Sequence, residues 1–129
     1  GKASDKMKKV FEIVQKAQTT AREAARPGVA MGDVDAAARK VVSDAGYGPD
    51  YKYFGHRLGH GIGLDGHEWY YLVRGNQRKI EANMTFSDEP GIYIVGEFGV
   101  RLEDDMHITP SGAEWFTPQS PSIEQPFGA

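Results

Sequence analysis

Residues 49–68 read PDYKYFGHRLGHGIGLDGHE. Before this stretch the apolar residues recur in the helical period. Within it and beyond it they come in short runs broken by glycine. Gly55, Gly59, Gly61, Gly63 and Gly66 make a helix untenable here, because ordering glycine costs more backbone entropy than ordering any other residue. Glycine inside a strand instead marks close approach of another backbone or of a ligand. The stretch therefore divides the chain into a helical first part and a β-rich second part. Helices first and strands after is the pattern of an α+β fold, here two N-terminal helices packed on an antiparallel β-sheet.

Toward the N-terminus, the apolar positions Met7, Val10, Phe11, Val14, Ala17, Ala21, Ala24 and Ala25 line one helical face. Ser4 is the predicted N-cap and Pro27-Gly28 the stop signal. Lys6, Lys8, Lys9, Glu12 and Lys16 form a solvated face. A second helix is predicted over 33–45, burying Val34, Ala37, Ala38, Val41, Val42 and Ala45, with Gly46 as its C′ residue. It carries no evident chemistry and reads as scaffold. Toward the C-terminus, strands are predicted over 51–54, 60–64, 84–86, 92–95, 98–102, 106–109 and 114–117. Residues 1–118 form one domain. Residues 119–129, rich in Pro, Ser and Gly, read as a loose tail.

Composition narrows the function. A chain of 129 residues can bury a core of its own. It has no cysteine, which excludes disulfides and thiolate metal sites and fits a reducing compartment such as the cytoplasm. The net charge is -3 with both signs mixed, unlike the basic footprint of a nucleic-acid binder. No stretch approaches the roughly 18 apolar residues of a membrane span. GKASDKMKK at the start has no apolar core and does not read as a signal peptide. Neither nucleic acid nor a membrane is expected as a partner.

Three clusters could carry chemistry. The first is His56, His60 and His67 within the opening stretch. Imidazole is a common metal ligand, although a lone loop histidine is more often structural. HExxH is absent, since His67-Glu68 is followed by Trp69, Tyr70 and Tyr71. GHGIG as a phosphate cradle lacks the following Lys-Ser or Lys-Thr. The second cluster is SDEPGIYI, with Asp88 and Glu89 before a Pro-Gly turn. The third is GVRLEDD, where strand alternation sends Arg101, Glu103 and Asp105 to one side and Val100, Leu102 and Asp104 to the other. Alone, the second reads as an acidic turn and the third as a salt-bridge row. Together, imidazole and carboxylates without thiolate suit a divalent ion of the manganese, cobalt or zinc type.

HRLGHGIGLDGHE, EPGIY and GVRLEDD, in this order, resemble the pita-bread metallopeptidases, and most closely the aminopeptidase P and prolidase branch that acts on Xaa-Pro bonds. The resemblance implies that His60, Glu89 and Glu103 are metal ligands, Glu103 bridging two ions. It implies that Glu89 also serves the attacking water and that His67 steadies the developing oxyanion. His56, His67 and Arg101 would line the substrate site. Two divalent ions are implied, manganese first, with cobalt or zinc next. The implied substrate is a dipeptide or short peptide. The family has two further aspartate ligands on preceding strands, and this chain matches only the second half of the catalytic domain. An isolated chain is therefore expected to bind metal weakly, to lack most peptidase activity, and to self-associate or pair with a missing N-terminal half. Two other outcomes stay open: a non-catalytic binding module of the same fold, or an amide hydrolase of the creatinase kind.

Overall fold

The computed structural model describes residues 1–128; Ala129, the end of the predicted tail, lies outside them. Helix α1 spans Asp5–Ala24, and α2 spans Met31–Asp44. Seven strands follow: β1 Gly59–Gly61, β2 Glu68–Leu72, β3 Thr85–Asp88, β4 Gly91–Ile94, β5 Phe98–Arg101, β6 Asp104–Thr109 and β7 Gly112–Trp115. Five form one antiparallel sheet in the order β2-β1-β3-β6-β7, while β4 and β5 make a separate hairpin.

Local chemistry sets both helices. The Ser4 hydroxyl accepts the Met7 N–H at 3.2 Å, satisfying one of the orphan donors of the first turn. At the end of α2, the Gly46 N–H donates to the Ser43 carbonyl and the Tyr47 N–H to the Val42 carbonyl. This is a Schellman closure, and Gly46 takes the φ of +95° that it needs. The α2 start lies at Met31, two residues earlier than the periodicity predicts, with Ala30 as an N-cap that makes no side-chain hydrogen bond.

Val10, Val14, Ala17 and Ala21 on the apolar face of α1 share one buried core with Phe86, Ile92, Met106 and Ile108 of the strands. Truncating a side chain such as Phe86 would cost about 3–5 kcal/mol. One polar residue sits inside that face. Gln18 Nε2 donates to the Asp88 carbonyl at 3.1 Å and to Asp104 Oδ2 at 2.9 Å. It ties α1 to the end of β3 and the start of β6, the two points next to the functional residues.

Four expectations are corrected. Residues 51–54 are not a strand but part of an irregular loop, held by the Arg39 guanidinium on the Phe54 carbonyl and by one backbone bond, Tyr93 N–H to the Tyr53 carbonyl. β2 was not predicted, because its sequence EWYYL does not alternate in burial. Its register against β1 shifts between His60 and Gly61, and Tyr70 takes a φ of +84° there, a conformation that costs a bulky residue of order 1–3 kcal/mol. On α2, Asp35 and Arg39 are buried while Ala45 is exposed. Finally, the strand alternation read through 100–105 is interrupted: Leu102 and Glu103 lie between β5 in the hairpin and β6 in the main sheet. Residues 119–128 of the tail have no regular structure, yet they lie along α1, with Gln15 Nε2 donating to the Ser120 carbonyl at 2.7 Å and Lys8 paired with Glu124 at 3.0 Å.

Candidate metal centre

His60 is the middle residue of β1, clamped between β2 and β3. Its N–H donates to Ser87 Oγ at 3.0 Å. The glycines on either side make this fit. A Cβ at Gly59 would overlap the Ser87 carbonyl oxygen, and one at Gly61 would lie 2.6 Å from the Trp69 carbonyl oxygen. The ring is oriented by Nδ1, which donates to the Gly61 carbonyl at 2.9 Å. The neutral imidazole then presents Nε2 as a bare lone pair, the tautomer a metal requires.

Glu89 directly follows β3. Its N–H donates to the Leu58 carbonyl at 2.9 Å, and its Oε2 lies 3.2 Å from His60 Nε2. That oxygen is buried and has no hydrogen-bond partner. Glu103 reaches the same place from the connection between β5 and β6. One donor atom from each of His60, Glu89 and Glu103 lies within 4.8 Å of the others. Partial burial, and next the negative charge of Glu89, push the Glu103 carboxyl above the ordinary glutamate range. Two carboxylates and an imidazole lone pair turned toward one point repel each other in the absence of a cation. An unsatisfied buried oxygen is costly as well. A divalent ion relieves both, so the residues present fit one.

The other predicted residues surround this point. His56, His60, His67, Glu89 and Arg101 line one open cleft with Arg57 and Val73. The His67 ring centroid is 4.1 Å from that of His60, on the exposed side of the cleft. Arg101 Nη2 is 3.4 Å from Glu103 Oε2. His56 Nδ1 donates to the Arg57 carbonyl at 2.7 Å, leaving Nε2 to accept from the Tyr93 hydroxyl at 2.7 Å. Asp105 instead faces Ser87 across the ladder and is exposed.

Sequence reasoning missed Tyr93, Ser87, Arg57 and the Asp35–Arg39 pair. The first three lie inside runs already quoted, SDEPGIYI and HRLGHGIGLDGHE, and the last shows as an acid and a base four residues apart on α2. Asp88 was singled out as part of an acidic turn, and it is fully buried with no partner at either carboxylate oxygen. Burial first, and then the facing Asp104, hold its carboxyl well above the ordinary aspartate range.

Two helices on an antiparallel sheet thus carry a candidate His-Glu-Glu metal site in a histidine-lined cleft. The model of metallopeptidase family M24 matches residues 1–110, and the chain belongs to that family. It is 45% identical over 124 residues to a Xaa-Pro dipeptidase of Lactobacillus delbrueckii subsp. lactis, covering 96% of this chain and 33% of the relative. A Xaa-Pro dipeptidase of Lactobacillus helveticus is 47% identical over 117 residues, 91% of this chain and 31% of the relative. Among solved structures, a prolidase from Pyrococcus horikoshii superposes with a TM-score of 0.85 at 40% identity, over 92% of this chain and 33% of that one. An X-Pro aminopeptidase from Thermotoga maritima gives 0.86 at 41% identity, over 92% and 33%. The chain thus spans about a third of the length of the curated relatives it matches. Its fold corresponds to the C-terminal half of the pita-bread fold. Among the described residues no helix is long and apolar enough to cross a membrane.

Proposed function

We propose that this chain is the metal-binding C-terminal half of an exopeptidase domain that cleaves the Xaa-Pro bond of dipeptides or short peptides. The observation that carries this is the convergence of His60, Glu89 and Glu103 donor atoms within 4.8 Å, with Glu89 Oε2 buried and unpartnered. His60, Glu89 and Glu103 would hold the metal, manganese first, with cobalt or zinc next. A divalent ion there supplies Lewis acidity and a bound water of lowered pKa.

The chain's own residues supply the rest. Glu89 takes the proton of the attacking water on its carboxylate. His67, exposed beside His60, offers an N–H to the carbonyl oxygen as negative charge develops on it. Arg101 at the cleft edge presents a planar fork suited to a carboxylate. His56, held by Tyr93, lines the substrate side. Three ligands are too few to hold two dications in catalytic geometry. The remaining ligands, and with them full activity, are assigned to a further segment of the protein that packs on this half. Absence of cysteine suits the cytoplasm as the place of action.

The test is hydrolysis of a Xaa-Pro dipeptide with excess manganese. The 129-residue chain alone should show little turnover, and a protein carrying both halves should turn over the substrate and lose it on Glu89→Gln. Turnover by the isolated chain equal to that of the two-half protein would overturn the assignment. So would a two-half protein indifferent to Glu89→Gln.

A further inference from the structure

The loop over 49–58 carries His56 and Arg57 into the cleft; the Tyr93 N–H of β4 reaches the Tyr53 carbonyl at 2.9 Å and the Leu58 N–H, besides its bond to Asp35, reaches the Leu72 carbonyl of β2 at 3.0 Å, but the rest of the loop has no ladder. Its backbone polar groups must find partners elsewhere. Several of them end on one ion pair of α2. Arg39 Nε and Nη2 donate to the two oxygens of Asp35, both at 3.0 Å. Arg39 Nη1 donates to the Phe54 carbonyl at 2.6 Å and to the Asp50 carbonyl at 3.4 Å. Nη2 also donates to the His56 carbonyl at 2.9 Å. Every one of the five guanidinium N–H donors is therefore used. The guanidinium carbon lies 4.0 Å from the Tyr51 ring centroid and 4.1 Å from that of Phe54. Asp35 Oδ1 accepts the Leu58 N–H at 3.0 Å, and the Leu58 carbonyl in turn accepts the Glu89 N–H.

We propose that Asp35 and Arg39 are positioning residues, a buried clamp that fixes the 50–58 backbone and so aims His56 into the cleft and seats the Glu89 backbone. Asp35 is 0% and Arg39 3% exposed. Burying both charges is expensive, and an apolar pair of similar volume would often be as stable. What an apolar pair cannot do is hold three carbonyls and an N–H at fixed places. Lysine cannot replace the arginine, because its three donors radiate from one atom and lack the planar fork. The inference deepens the peptidase assignment, but its test needs neither metal nor peptide, so the two fail separately.

The experiment is ring-nitrogen NMR of the 129-residue chain at alkaline pH, where free imidazoles are neutral. In the wild type, His56 should hold a single tautomer with the proton on Nδ1 and Nε2 accepting from Tyr93. Arg39→Lys should lose that fixed tautomer, giving averaged or doubled His56 signals. Val42→Ala, a buried cavity on the same helix, serves as a control destabilised without touching the clamp and should keep it. A folded Arg39→Lys chain with wild-type His56 signals overturns the proposal. If Arg39→Lys does not fold, Tyr51→Leu decides, because it removes one face of the guanidinium stack from a partly exposed position. It should broaden or shift the His56 signals, and unchanged signals there overturn the proposal equally.

Discussion

The Nε2 atom of His60 and the Oε2 atom of Glu89 face each other at 3.2 Å, two potential ligand atoms turned toward one point. His60 keeps its proton on Nδ1 toward the Gly61 carbonyl, and the Glu89 oxygen is buried without a donor. With Glu103 they form a candidate cation site.

Divalent metal should therefore bind the chain and stabilise it. Cobalt is a suitable probe, because its visible spectrum reports coordination. His60→Ala and Glu89→Gln should each weaken binding about tenfold or more, while His107→Ala, on β6 beside Glu114, should leave it unchanged. Saturating metal at about a hundred times Kd should raise stability by about 2.7 kcal/mol, and a chelator should remove that gain. Equal cobalt affinity in all variants would contradict the site.

The glycines flanking His60 should not tolerate a methyl group. Gly59→Ala drives a Cβ into the Ser87 carbonyl oxygen, and Gly61→Ala drives one into the Trp69 carbonyl oxygen. Backbone on both sides leaves no flexible atom to yield, so each should cost about 3 kcal/mol. Gly66→Ala meets nothing within 4 Å and should stay within about 0.5 kcal/mol of wild type. Urea unfolding midpoints distinguish the three.

Asp88 should make stability depend on pH in an unusual direction. Burial raises its folded carboxyl well above the ordinary aspartate range, so the folded chain holds a proton that the unfolded chain releases. Stability is then fully present below the unfolded aspartate pKa and is lost as pH rises toward the folded one. Asp104, also raised chiefly by burial, acts with the same sign. Asp88→Asn carries no titrating proton, so it should flatten the fall from acid to neutral pH and be more stable than wild type at neutral pH. Parallel pH profiles for the two chains in urea would refute this.

Self-association should follow from the edge at β2. Leu64 and Trp69 are 105% and 81% exposed, and β2 is an outer strand of the main sheet. Apolar side chains beside an unpaired edge favour association. Sedimentation should show mass rising with concentration, and Trp69→Glu should return the chain toward a monomer. A single monomeric species at every concentration would count against it.

Much of this protein is local and so was readable without coordinates. Helical periodicity, the Ser4 cap and the Gly46 closure depend on residues a few positions apart, and they fix α1 and α2. The glycine-histidine run announced the close packing around β1 because only glycine leaves room for a neighbouring backbone. The 51–54 segment misled, since β-rich composition does not show that a guanidinium from another element will hold the backbone instead of a ladder. β2 escaped because a register shift hides its alternation. What the sequence determined alone is the inventory of donors and the two helices that carry the sheet. Tertiary structure decided that Glu103, in a connection between two sheets, meets His60 and Glu89, that Tyr93 holds His56, and that Asp35 and Arg39 point inward. Those outcomes depend on which surfaces pack, and packing joins residues whose spacing along the chain carries no trace of their contact.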